Sequence, residues 1–268
     1  MQWEVARPER PSRTTGISMA GFRDRGLSAA SRRAIPHPSV TLVLEFGRGS
    51  LIVDGATGPH RGNLVAGLGL ALGGVRIRGG AFEVVQVRLS PLVVHAVLGV
   101  PPAELDGAMV PLDALWGRSA ERICARLAET SSWQDRFAIT DAEIARRSTA
   151  RAPDPEVAWA WRQIVHSRGT VRVDGLATEL GWSRQRLWSR FRNQIGLPPK
   201  QAAKLVRFDH AVHRLVAGES PARVAADSGY ADQSHLHRDV LAFSGETPVT
   251  VAREPFLAVD DYAWRPRA

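Results

Sequence analysis

At 268 residues, with 44% hydrophobic and 23% charged side chains, the chain is long enough for two domains with separate cores and too apolar for a disordered protein. Its formal charge of +8 points toward polyanions, but only Lys200 and Lys204 are lysines, and an arginine excess beside abundant Ala, Gly and Val can follow from a GC-rich genome, so the placement of the charges is more telling than their sum. No apolar run reaches the roughly eighteen residues of a membrane span, and a single cysteine, Cys124, excludes an intrachain disulfide and fits a reducing cytoplasm.

Residues 1–34 contain Arg and Ser, few acids and no apolar core of a secretory signal. They are expected to form an N-terminal arm or a domain edge. Residues 35–150 read as a β-rich and then helical sensor or dimerisation domain. Val40–Phe46, Leu51–Val53, Leu64–Leu72 and Phe82–Leu89 are candidate strands, with Asp54-Gly55 as a turn signal. After Ser90-Pro91 the pattern turns helical: Leu92–Leu98 closed by Gly99, then about Pro111–Trp116, Ser119–Glu129 and Ser132–Arg147.

Arg151-Ala152-Pro153-Asp154-Pro155 is the best domain boundary, with Asp154 expected to cap a helix from Pro155 to about Ser167. Beyond it lies a near-repeat. Leu176-Ala177-Thr178-Glu179-Leu180-Gly181-Trp182-Ser183, with Leu187 and Phe191, is matched by Val224-Ala225-Ala226-Asp227-Ser228-Gly229-Tyr230, with Leu236 and Val240. Each copy reads as a helix-turn-helix. Small residues allow close packing, glycine takes the left-handed turn, and an aromatic plugs the corner. Ser183 or Asp232 then caps a second helix that buries one i, i+4 pair and leaves its other face free. Between the copies, Leu205, Phe208, Val212 and Leu215 predict a central helix ending near Gly218.

From Ser183 to Arg207 there are seven basic residues (Arg184, Arg186, Arg190, Arg192, Lys200, Lys204, Arg207) and no acid. A helix lying in the major groove presents its N-terminal side chains to base edges while its flanks meet phosphates. Gln185, Trp188 and Ser189 face away from Leu187 and Phe191. Gln233, Ser234, His235 and Arg238 hold the comparable positions in the second copy, where Arg238 is placed for a bidentate contact to guanine.

Residues 154–253 resemble the DNA-binding domain of the AraC/XylS family of bacterial transcription regulators, most specifically through Val224 to Arg238 and the closing Gly245-Glu246-Thr247-Pro248. The resemblance implies an α+β protein: an N-terminal β-rich domain followed by helices, then an all-α domain of two helix-turn-helix units on a central helix, with 254–268 as a C-terminal tail. It also implies a cytoplasmic, nucleoid-associated transcription factor that binds double-stranded DNA and whose N-terminal domain modulates that binding by ligand or dimerisation. The partners it implies beside DNA are a small-molecule effector, a second copy, and RNA polymerase for an activator. By position, Gln185, Arg186, Trp188 and Ser189 form the first DNA-facing set and Ser234, His235 and Arg238 the second. Two departures stand out. Val240 replaces a usual aromatic, which predicts a looser second unit, and Asp239 adds a negative charge that would weaken its DNA contact.

Other features carry less. His37, His60 and His95 lack metal-ligand spacing, Asp54, Glu83 and Asp106 share no motif, and Gly67–Gly74 has the wrong spacing for a dinucleotide fingerprint. No metal, cofactor or catalytic residue is expected. The alternative from another class is an enzyme, a DNA-repair alkyl transferase with an AraC-like appendage. It would need Cys124 as its nucleophile, and no Pro-Cys-His context surrounds that residue.

Overall fold

A computed structural model describes residues 3–24, 31–55, 58–68, 74–148 and 152–264. The middle of the Gly67–Gly74 run, and Arg151 of the expected boundary, lie outside these residues. Among the described residues, ten strands form two antiparallel sheets. The larger contains β1 (Trp3–Ala6), β2 (Ile17–Asp24), β9 (Glu83–Leu89), β4 (Val40–Glu45), β7 (Leu64–Ala66) and β10 (Met109–Pro111), in that spatial order. The smaller runs β3 (Arg32–Ala34), β8 (Val75–Gly80), β5 (Ser50–Gly55) and β6 (Gly58–Arg61).

The period-two side-chain alternation of a strand sorts β4 and β9 into two cores. They pair from Val40↔Leu89 to Glu45↔Val84. Val40, Leu42, Leu44, Val85, Val87 and Leu89 face the helices in one core, whereas Val43 and Val84 join Phe22, Leu51, Val53 and Leu64 between the sheets.

The helices after β9 largely follow the sequence pattern. Helix α1 (Pro91–Leu98) is capped by Ser90 and ends at Gly99 with φ +80°. Pro111 ends β10 instead of opening a helix, so α2 starts at Leu112 and runs to Trp116. Helices α3 (Arg118–Glu129) and α4 (Trp133–Arg147) follow, the latter capped by Ser132. Then come α5 (Pro155–His166), α6 (Val173–Glu179), α7 (Arg184–Ile195), α8 (Pro199–Val216), α9 (Pro221–Asp227), α10 (Gln233–Ser244), α11 (Pro248–Val251) and α12 (Pro255–Trp264).

Both ends of the chain depart from expectation. Within the segment read as an arm or domain edge, β1 is an edge strand, but β2 lies inside the larger sheet and pairs with β9 from Ile17 to Arg23. Its Ala20 and Phe22 are buried, and that apolar area holds it there. The segment read as a tail folds as α12, whose Val259 and Ala263 complete the core between the sheets. Asp154 does not cap α5 through its side chain. Its carboxylate accepts from Gln194 Nε2 at 2.8 Å, while its own N–H donates to Gln194 Oε1 at 2.7 Å.

Candidate nucleic-acid interface

Two corners, α6–α7 and α9–α10, are built on α8. In each the turn glycine is left-handed, Gly181 at φ +63° and Gly229 at φ +74°, a conformation costly for a residue with a Cβ. The expected caps are present: Ser183 accepts from the Arg186 N–H and Asp232 from the His235 N–H. Such caps contribute on the order of 1 kcal/mol each. Leu187, Phe191, Leu236 and Val240 are all buried.

Helix α8 is the common spine. Near the α5–α6 connection, Gly169 lies so close to it that a Cβ there would sit 2.1 Å from the Ala203 carbonyl oxygen. At its far end Arg214 donates to Asp227 at 2.8 Å and to Ser228 Oγ at 3.3 Å, fastening α9. At its centre Arg207 donates to Asp239 at 3.0 Å and to the Gly229 carbonyl at 3.3 Å, and its guanidinium stands 4.4 Å from the Tyr230 ring centre. Burial pushes the Tyr230 phenol up to about 12.

This arrangement corrects two expectations about the second unit. Asp239 is buried (6% exposed) and turned toward Arg207 and Lys204, so its charge is met inside the domain instead of facing a phosphate. Nor is the Val240 region loose, because Phe243, one turn on, stacks against Phe208 of α8 with ring centres 4.8 Å apart.

The residues expected to face DNA sit on two exposed stripes. On α7, Gln185, Trp188, Ser189 and Arg192 follow i, i+3, i+4, i+7 spacing and are all exposed, Trp188 at 48%. Arg184, Arg186 and Arg190 flank them, also exposed. The basic side chains have local anchors: Arg184 pairs with Asp174 at 3.0 Å, Arg190 with Asp154 at 3.7 Å, and Arg186 lies 4.5 Å from the Trp182 ring centre. On α10, Gln233, Ser234 and Arg238 are exposed, with His237 and Leu241 extending the stripe. His235 is half-buried, edge-on to Tyr230 at 5.2 Å, and so is drawn toward the corner's core.

Sequence reasoning missed how the N-terminal half meets this unit. The turn Pro102–Leu105 packs on α7 so tightly that a Cβ on Gly196 would come within 2.9 Å of the Pro102 carbonyl oxygen. Asp106 beside that turn pairs with Arg192 at 3.3 Å. Arg33 donates to the Ser244 carbonyl at the end of α10, and His37 bonds Asp209 of α8 at 2.7 Å. These partners are 86 to 211 residues apart, a separation no local pattern encodes.

A helix-turn-helix domain family model matches residues 176–254, which run from within α6 through α7, α8, α9, α10 and α11. The C-terminal region is an AraC-type helix-turn-helix domain. An uncharacterised HTH-type transcriptional regulator of Bacillus subtilis, YbfI, is 31% identical over 71 residues. That alignment spans 26% of this chain and 26% of YbfI, so the chain covers about a quarter of that curated relative. Among solved structures, ToxT from Vibrio cholerae O395 matches 91% of this chain and 99% of its own at 10% identity, with a TM-score of 0.51. An unsaturated fatty acid-bound ToxT matches 91% of this chain and 97% of its own at 11% identity, with a TM-score of 0.50. At these identities the likeness is one of fold, and it extends over the N-terminal sheets as well as the AraC-type domain.

Outside that domain the candidates separate. His37 meets Asp209 and Asp260. Asp54 pairs with Arg78, Glu83 with Arg23 and Arg136, and Asp106 with Arg192. Cys124 is buried, donates to Asn63 Oδ1 at 3.1 Å, and is pushed by burial up to about 12. A thiol held protonated in this way is a poor nucleophile. No helix among the described residues is long and apolar enough to cross a membrane.

Proposed function

We propose that the chain is a sequence-specific, DNA-binding transcription regulator whose AraC-type domain reads two neighbouring major-groove segments. The observation that carries this reading is the pair of capped, exposed helix tips, Gln185–Arg192 on α7 and Gln233–Arg238 on α10, set on one buried helix. Gln185, Ser189, Ser234 and Arg238 are the base readers. Arg184, Arg186, Arg190 and Arg192 meet phosphates, and Trp188 contacts a sugar or a thymine methyl. The N-terminal sheets and helices up to α4, together with α12 packed on them, are the regulatory domain and 154–253 the DNA-binding domain, with the chain working in the cytoplasm on the nucleoid, as a homodimer and, where it activates, with RNA polymerase.

The regulatory domain takes a small apolar effector. A cavity of about 140 Å³ opens between the two sheets, lined by side chains such as Phe22, Val43, Val53, Ile77 and Val84. The unsaturated fatty acid bound to ToxT is a ligand of that protein, and it supports the same class of effector here. The alkyl-transferase reading has no support in the surroundings of Cys124.

Selection of bound duplexes from a random pool, followed by a salt titration against the selected and scrambled sequences, tests the regulator reading. Expected is a two-part site bound at least about a thousandfold tighter than scrambled DNA. Equal affinities with equal salt slopes would mean phosphate contacts alone and would sink it.

A further inference from the structure

The cavity between the sheets is closed on one side by α12, a helix that follows the AraC-type domain in sequence yet packs on the N-terminal half. Its Leu257, Val259 and Asp260 form part of the cavity wall. Asp260 is also the point where three parts of the chain meet. Its carboxylate accepts from Arg88 of β9 at 2.9 and 3.0 Å, lies 3.3 Å from His37 Nε2 in the β3–β4 connection, and lies 3.3 Å from His213 Nε2 on α8. Trp264, one turn further along α12, covers the Arg88 guanidinium at 4.1 Å from its ring centre.

We propose that α12 is a displaceable gate, closed in this structure, through which an apolar effector enters the cavity and by which its entry is passed to α8. The inference deepens the effector-binding part of the proposed function and rests on it. Three observations carry it. First, a void of about 140 Å³ has room for little more than a benzene ring, whereas pockets for small-molecule effectors run to roughly 300–1,000 Å³. Each sheet is tied internally by its backbone ladder, whereas α12 is held to the cavity rim by side chains, which makes it a wall able to yield without breaking either sheet.

Second, the seam under α12 leaves hydrogen-bonding groups unmet. Trp264 Nε1, Arg88 Nε and Ser39 Oγ are buried without a partner among the described residues, and Arg88 and Ser39 line the cavity. Orphaned buried donors weaken a closed seam, and an oxygen-bearing ligand would satisfy the two that line the cavity. Third, the main polar fastening of the gate is an ion cluster, whose Coulombic gain is offset in part by the cost of taking its charges out of water, a cost recovered when α12 withdraws. Withdrawing α12 takes Asp260 from Arg88 and His213 together, so the cavity cannot enlarge on this side without loosening α8 from the N-terminal half.

The test uses the full chain, with N-phenyl-1-naphthylamine as an apolar dye larger than the closed void, in wild type, Asp260→Asn and His213→Gln. Dye fluorescence reports uptake, and amide hydrogen exchange over 255–264 reports the gate. Both variants are expected to bind dye at about tenfold lower concentration than wild type, although His213 lies outside the cavity wall. Saturating dye should speed exchange of α12 in the wild-type protein, a measurement that requires no substitution. Dye affinity unchanged in both variants, or dye bound to wild type with α12 as protected as before, overturns the gate. Specific DNA binding on the same samples is read separately: its absence would strike the regulator reading and leave the gate standing, and the reverse outcome is equally distinct.

Discussion

Arg207 shows how far a charged side chain's role depends on where the chain folds it. By sequence it is the last of seven bases in an acid-free run, yet its side chain is only 14% exposed and committed to the buried Asp239. Asp239→Ala would leave that guanidinium buried and unpaired, which is expected to destabilise the domain by about 3–5 kcal/mol. Urea unfolding measures it, and a loss below about 1 kcal/mol would show that water screens the pair. The exposed arginines divide differently. Arg238→Ala should relax base preference within one half of the selected site, by about 1–3 kcal/mol at one position. Arg192→Ala, removing a phosphate contact, should weaken every sequence alike and lower the salt slope by about one. Competition assays with single-base variants separate the two, and identical behaviour would erase the division between readers and anchors.

At the scale of elements, the two corners repeat one design on different surroundings, and their glycines expose the difference. Around Gly181 a Cβ would meet nothing within 4 Å, so Gly181→Ala bears only the left-handed backbone, about 1–2 kcal/mol. Around Gly229 the same Cβ would stand 2.8 Å from Thr170 Cγ2, so Gly229→Ala is expected to cost more, with thermal melts giving the order. Equal losses would mean that Thr170 yields freely.

This local design was legible because it is local. Gly181, Ser183 and the Leu187/Phe191 pair act within a dozen residues, and periodicity and capping record such relations directly. The strands β4, β5 and β9 were legible for the same reason. Strand β2 was not, because Ser18-Met19-Ala20-Gly21 lacks the β-branched residues that mark strands, and its pairing with β9 is set by a partner about 65 residues on. Asp239 was misread because burial of a carboxylate depends on a cation supplied by α8. The α12 helix escaped because its apolar residues match a core made by the far end of the chain.

At the scale of the whole molecule, the AraC-type domain is held to the N-terminal half by charge as well as by packing, so the joint should respond to pH. Burial alone would push His213 down, but Asp260 and Asp209 outweigh it and raise it to about 9. Burial would likewise push Asp260 up, and His37, Arg88 and His213 reverse this, holding its carboxyl well below the usual carboxylate range. His210, near His213, is pushed down, by burial first and then by Arg168 and Arg214.

A histidine with its folded pKa raised above the unfolded value of 6.5 adds stability that is fully present below that value and fades as pH climbs through about 9. The aspartate acts in the opposite sense. Its contribution holds above the ordinary carboxylate range and is lost only in acid, so the pH ranges over which the two contributions are lost do not overlap. The denaturation midpoint of the wild-type protein should therefore fall between pH 6.5 and 9 more steeply than that of His213→Gln, whose side chain carries no proton to release. Parallel profiles for the two proteins across that interval would mean that His213 is neutral in the folded chain, and that the joint between sheet, α8 and α12 is held by Arg88 and Asp260 without it.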